Sequence, residues 1–316
     1  MRRRWLALAI VLLAAPPLGV LLFGSSTSPS GDHRGTQSVR LGRLPTDVTY
    51  SDNRLWVAQA GERWVAATDE RNPAGYLHYP IGAAALRIAA RGSSIWVTGA
   101  ASDSLISIRD REPGFSSYLP IGADTVDVAV SQDAVWVSNG ARGTVTRVDP
   151  VSGEILGPPV RTGRFPSALA VGAGYVWVVN SGDGTVARLD PHENFIVGRR
   201  IPVGRDPEAI AVGFGSVWVA NRGDGTLTRL SAISGRPQGS VPVGGRPTSL
   251  AMTSRGVLVL DTGRGRLLRV TPVGDRVEQL ARLGGSPAAV AVDDSGAAWV
   301  VDTRRDRLTR LVTSRR

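Results

Sequence analysis

One six-residue phrase recurs seven times along this chain of 316 residues: RLWVAQ (54–59), SIWVTG (94–99), AVWVSN (134–139), YVWVVN (175–180), SVWVAN (216–221), GVLVLD (256–261) and AAWVVD (297–302). Its third position holds Trp56, Trp96, Trp136, Trp177, Trp218, Leu258 and Trp299, at steps of 40 or 41 residues. A glycine ladder runs in phase with it: Gly42, Gly82, Gly122, Gly163, Gly204, Gly244 and Gly284. Each glycine stands 14 residues ahead of its tryptophan slot, or 15 in the last case. Two ladders in one register define seven units. Each unit contains four short apolar runs, none long enough for a typical helix. In the fifth unit these are AIAVG (209–213), SVWVAN (216–221), TLTRL (226–230) and GSVPVG (239–244). Four strands at this period mark a β-propeller blade. A lone blade cannot bury both faces of its sheet, whereas seven packed around an axis can. The expected fold is therefore all-β, a seven-bladed β-propeller of four-stranded blades.

Strand order follows from the residue two places before each ladder glycine: Arg40, Pro80, Pro120, Arg161, Pro202, Pro242 and Arg282. Proline cannot donate to a sheet ladder and arginine blunts an edge, so the fourth run is the outer, water-facing strand. The first run is small and apolar in units such as AIAVG, which suits a crowded centre. The seventh unit stops at its third strand, RLTRLVT (307–313). Its missing outer strand stands at the other end of the chain, in SVRLG (38–42), with the ladder glycine in place. The N-terminal strand is thus expected to complete the last blade, making residues 37–316 one propeller domain, expected to be a monomer.

The first residues read as a targeting segment. Arg2, Arg3 and Arg4 precede an apolar run from Trp5 to Phe23, interrupted by Pro16 and Pro17. Residues 1–24 are read as a signal peptide or signal anchor, with Gly24 and Ser26 as a small-x-small cleavage site. The arginine run also resembles a twin-arginine export signal. Residues 25–36 form a polar tether. By the positive-inside rule everything beyond is extracytoplasmic, either secreted or held at the outer face of the cytoplasmic membrane by residues 5–23. The chain has no cysteine, which removes disulfides, thiolate chemistry and cysteine-bound zinc. Its formal net charge is +10, and the leader's three arginines leave +7 for the remainder.

The phrases DP-x-SG, PVG-x-x-P and AVG-x-G-x-VWVAN-x-GDGTLTRL resemble the YVTN-type propeller repeats of exported bacterial proteins and the virginiamycin B lyase-like propellers, over residues 37–313. The resemblance implies a propeller fold and offers several functions. Such propellers stand alone outside the cell or serve as sensor halves of membrane kinases; some bind DNA, and one branch is a streptogramin-opening lyase. That branch uses a set of His and Glu with a divalent metal. This chain has only His33, His78 and His192, in a tether, on an outer strand and in a turn, and no matching His pair. Neither a cofactor nor a metal site is expected, and an enzyme is disfavoured.

Three further motifs are weighed by their place in the repeat. Arg222-Gly223-Asp224 spells a cell-attachment tripeptide, but blade four carries Ser181-Gly182-Asp183 at the same place, so a turn is expected. Arg147, Arg188, Arg229, Arg269 and Arg310 lie eleven residues past the tryptophan slot and read as packed strand residues rather than a ligand-binding ring. Asp302 and Asp306 in DTRRD read as a turn rather than a metal site. Charge is more informative. The loops between blades share a face with the turns joining strands two and three; that face sums to about +3 and the opposite one, dominated by Asp149, Glu154, Asp190 and Glu193, to about −6. The expected function is a non-catalytic binding or sensing scaffold. Its ligand-face candidates are Arg164, Arg205, Arg246, Arg222, Arg264, Arg304 and Arg305, facing an anionic ligand or a protein partner. Nucleic acid is one alternative partner, and a metal-dependent lyase is the other functional class.

Overall fold

The computed structural model describes residues 37–100, 103–109, 116–122 and 124–313. The leader, the tether with His33, and residues 314–316 lie outside them. Among the described residues no helix is long and apolar enough to cross a membrane. The strands form seven antiparallel sheets. Blade one is built from Pro45–Ser51, Arg54–Gln59, Trp64–Asp69 and Tyr76–Pro80, and blades two to six repeat that meander. Blade four departs by splitting its outer strand into Phe195–Ile196 and Ile201–Pro202. Blade seven takes three strands from Pro287–Val292, Ala298–Asp302 and Arg307–Leu311, and its fourth from Gln37–Arg40 at the other end of the chain. That closure pairs Gln37 with Arg310 and Arg40 with Arg307. Inner strands of successive blades touch all the way round, including blade one against blade seven.

The tryptophan slot explains why seven sheets stay together. Strand two is buried on both faces, as the continuous apolar phrase demands. Trp56 packs into the blade one–two interface with Ile88, Ile95 and Ile106. Trp299 does the same between blades seven and one, against Val48, Leu55 and Val57. Each slot residue faces an arginine or its substitute across the sheet: Trp136 with Arg147, Trp177 with Arg188, Trp218 with Arg229, Leu258 with Arg269 and Trp299 with Arg310. The guanidinium lies over the indole, at 4.9 Å for Arg229 on Trp218. In Arg147, Arg188, Arg229 and Arg269 its far end then reaches into the next blade, whereas Arg310 turns to Ser295 and Asp293 of its own blade. Arg188 Nη1 donates to the Ile233 carbonyl at 2.9 Å and Arg229 Nη1 to the Pro272 carbonyl at 2.9 Å. Four of these arginines are struts between blades and the fifth is packed within blade seven, in keeping with packed strand residues.

The ladder glycines serve two local needs. Gly244 has φ +68°, which a side chain tolerates poorly. At Gly204 a Cβ would collide with Asn221 and Asp224, whose side chains fold against the bare backbone. The outer-strand residues Arg40, Pro80, Pro120, Arg161, Pro202, Pro242 and Arg282 are all exposed, as edge residues must be.

Candidate functional site

Two places gather charge: the face made by the between-blade loops, and the axis. The loops and the turns between strands two and three are hydrogen-bonded to each other. Gly182 N donates to the Arg164 carbonyl, Gly223 N to Arg205 and Thr262 N to Arg246. All seven ligand-face arginines therefore lie on one face, but they are not equivalent. In blades four and five each is matched to an acid. Asp183 accepts the Arg164 backbone N–H at 2.8 Å and lies 4.0 Å from its Nε, and Arg200 also reaches Asp183 at 3.0 Å. Arg205 Nε meets Asp224 at 2.6 Å, and this pair holds the Asp224 carboxyl below its ordinary range. Arg222 donates to Asp206 at 2.7 Å and lies 3.6 Å from Glu208. Both charges of the Arg222-Gly223-Asp224 turn are thus engaged within the blade.

Blades six and seven are built differently. Asp261 is fully buried at the end of strand two and accepts the backbone N–H groups of Arg246 and Arg264, at 2.8 and 3.2 Å. Its other oxygen takes both the Nε and the Nη2 of Arg266, at 3.0 and 2.6 Å. Asp302 repeats the device, accepting from the backbone of Ser286, Arg304 and Arg305. The acids are spent on backbone and on Arg266, so the side chains of Arg246, Arg264 and Arg304 are exposed with no acid within 4.0 Å among the described residues. Arg305 has only a 4.0 Å approach to Asp302 and a hydrogen bond to the Leu283 carbonyl. Asp302 ends the second strand of blade seven and Asp306 lies in the turn that follows; Asp306 accepts the Leu44 N–H at 2.9 Å.

The axis holds a cluster that reading the repeat missed. Every inner strand carries a β-bulge near its start, as between Pro45 and Asp47 and between Ala85 and Arg87. A bulge re-aims side chains, and here it aims them inward. The resulting axial cavity, about 420 Å³, is lined by Asp47, Arg87, Asp127, Ser167, Glu208 and Ser249 among others. The expectation of a small, apolar centre holds on blade seven, is broken by Ser167 on blade four, and fails on blades one to three, where charges occupy the fifth position after the ladder glycine. Glu208 of blade five joins them from the bulge itself. Asp47 accepts the Ile88 N–H at 3.0 Å and Asp127 the Leu169 N–H at 2.7 Å, so each clasps the next blade. Ser249 does the same for Val290 at 3.2 Å. Burial raises the Asp127 carboxyl to about 6, with Arg87 opposing the rise and Asp47 adding to it. Burial likewise raises Asp47. Toward the far end Tyr50 bonds Glu70 at 2.9 Å and Asp294 at 3.2 Å, and burial with these acids raises its phenol.

His78 sits on the outer strand of blade one, stacked on Trp64, and His192 in a turn of blade four. Among the described residues no group of three or more His, Asp or Glu is placed to hold a metal ion.

No family model matches the sequence, and no curated protein matches it. Solved structures do match, and they are virginiamycin B lyase-like seven-bladed propellers in fold. Virginiamycin B lyase from Staphylococcus aureus aligns with a TM-score of 0.75 at 16% identity, over 88% of this chain and 98% of that one. Hydrazine synthase from Kuenenia stuttgartiensis aligns at 0.75 and 14% identity, over 90% and 99%. YCF48 bound to a D1 peptide aligns at 0.69 and 13%, over 91% and 100%. At these identities the likeness establishes the propeller fold, which enzymes and a peptide-bound protein share.

Proposed function

We propose that this chain is an extracytoplasmic binding or sensing scaffold without a catalytic site, and that it holds an anionic ligand or partner against blades six and seven. One observation carries the reading. Arg246, Arg264 and Arg304 project from adjacent blades on one face with no acid within 4.0 Å among the described residues, while Arg205 and Arg222 are paired with acids at 2.6 and 2.7 Å, and Arg164, like Arg305, has only a 4.0 Å approach to one. Unpaired, exposed guanidinium groups on a rigid scaffold are suited to carboxylate or phosphate recognition. The reading centres the seven-residue surface expected from sequence on Arg246, Arg264 and Arg304, with Arg305 beside them.

The test is a salt titration of binding to an anionic cell-wall polymer, with fluorescent single-stranded DNA in parallel. Affinity should fall steeply with salt, and Arg246→Ala with Arg264→Ala should lower the slope of log K against log salt by about 1.5–2. Arg205→Ala with Arg222→Ala should change it far less, because both are already paired with acids. Binding of DNA alone would favour the nucleic-acid reading, to which Phe165 would lend one exposed aromatic on this face. Absence of binding to either polymer at low salt would remove the anionic partner.

A further inference from the structure

The axial cavity contains two groups that the protein itself leaves unanswered. Arg87 lies in the ring of inner strands, yet its guanidinium makes no hydrogen bond and no ion pair within 4.0 Å among the described residues. Ser167, from blade four on the same cavity, has a buried hydroxyl with no partner among the described residues. Arg87 is half-buried, and a guanidinium partly withdrawn from solvent with its donors free favours a ligand that completes it. The carboxylates that attract it come from three other blades: Asp47 of blade one, Asp127 of blade three and Glu208 of blade five. Asp47 and Asp127 already spend oxygens on backbone N–H groups, and Glu208 leans toward Arg222 at 3.6 Å. One positive group and several negative ones therefore face a single small space without being joined to one another.

We propose that this axial cavity binds a small zwitterion of the free α-amino acid class, its carboxylate on Arg87 and its ammonium among Asp127, Asp47 and Glu208. A pure anion placed on Arg87 would meet three carboxylates, and a pure cation would meet the guanidinium. A molecule carrying both charges a few bonds apart satisfies both sides, and Ser167 offers a neutral hydroxyl beside them. About 420 Å³ accommodates a ligand of that size. Five of the seven blades contribute to this pocket through Asp47, Arg87, Asp127, Ser167 and Glu208, so occupancy would tie blades across the axis as well as around the ring. The site is separate from the arginine sector of blades six and seven and does not depend on it.

Isothermal titration calorimetry of the full chain with glycine, L-alanine, L-leucine and glycylglycine tests the proposal, with acetate and methylammonium as half-ligands. At least one zwitterion should bind about tenfold or more tightly than either half. Arg87→Gln should weaken it by a similar factor, while Arg246→Ala with Arg264→Ala should leave it unchanged. Lowering the pH through about 6 protonates Asp127 and removes one partner of the ammonium, so affinity should fall there. Asp47, Glu208, Arg87 and Arg222 are the other charged groups facing that carboxyl's surroundings. Equal binding of the halves, no zwitterion bound at millimolar concentration, or unchanged binding in a folded Arg87→Gln protein would each overturn the proposal. The comparison with half-ligands needs no variant, so a misfolded Arg87→Gln would not rescue it.

Discussion

Asp293 to asparagine is the substitution whose cost can be worked most fully from the structure. The carboxylate is fully buried and accepts from Trp299 Nε1 at 2.7 Å, Ala297 N at 2.9 Å and Ser295 Oγ at 2.5 Å, with Arg310 Nε at 3.5 Å. Burial alone would raise its pKa, but the hydrogen bonds from Ser295, Trp299 and Ala297 and the charge of Arg310 outweigh that and hold it below the ordinary carboxylate range. Asparagine fits the same volume but turns one oxygen into an NH₂. Every group facing that atom is itself a donor, so one buried donor is left opposite another. Hydrogen bonds to a charged acceptor contribute about 1.5–3 kcal/mol each and do not add fully, which puts the loss near 3 kcal/mol. At about 2–3 °C per kcal/mol for a domain of this size, Tm should drop by roughly 6–9 °C. Chemical denaturation should show a lower midpoint with an unchanged slope. The pH dependence has a fixed sign: a depressed folded pKa gives stability that is full above the unfolded carboxylate range and lost as pH falls through the folded value. The gap between wild type and variant should therefore be constant near neutrality and close in acid. Neighbouring Asp294 is exposed, and Asp294→Asn should change stability by less than about 0.5 kcal/mol. An Asp293→Asn protein within 1 kcal/mol of wild type at pH 7 would refute the account of this buried acid.

Three other outcomes follow from the same geometry. Gly245→Ala drives a methyl group into the Asp261 carboxylate at a backbone φ of +68° and should cost about 2 kcal/mol or more, against about 1 kcal/mol for Gly274→Ala, which meets nothing; urea titration compares them. Arg229→Lys keeps the charge but not the planar fork that spans Ser216, the Pro272 carbonyl and Asp275 over Trp218; thermal unfolding should report a loss of about 1–2 kcal/mol. Ser38→Cys with Thr309→Cys should oxidise to a disulfide visible on a non-reducing gel, because the two hydroxyls already meet at 3.3 Å, and should raise stability by up to about 5 kcal/mol by loop entropy.

The parts of this molecule that repeat could be read from its residues, and the parts that break the repeat could not. Trp56 through Trp299 and Gly42 through Gly284 announce blade number and strand order because every blade solves the same packing problem. Arg40 and its six counterparts mark the outer edge for the same reason. The axial cluster is a different kind of object. Asp47, Arg87 and Asp127 each occur once, some 40 residues apart, and only ring closure brings them to one space. A signal was present: three charges of alternating sign at a position that blades four, five and seven fill with alanine. The state of the arginine face was half legible. Arg164 with Asp183 and Arg205 with Asp224 share one spacing, and blade six replaces both members with Gly245 and Arg264. Whether those residues actually pair depends on turn geometry that no linear pattern contains.

The strand that completes blade seven sets a timetable. Gln37–Arg40 finds its partner, Arg307–Arg310, only after some 270 intervening residues exist. At ribosomal rates that wait lasts roughly tens of seconds, during which the chain's first strand has no sheet to join. Six blades can assemble beforehand, each next to its predecessor, but the ring remains an open arc with two unsatisfied edges. Any factor that guards nascent or exported chains would have those edges to hold, and the final pairing would be the event that releases it.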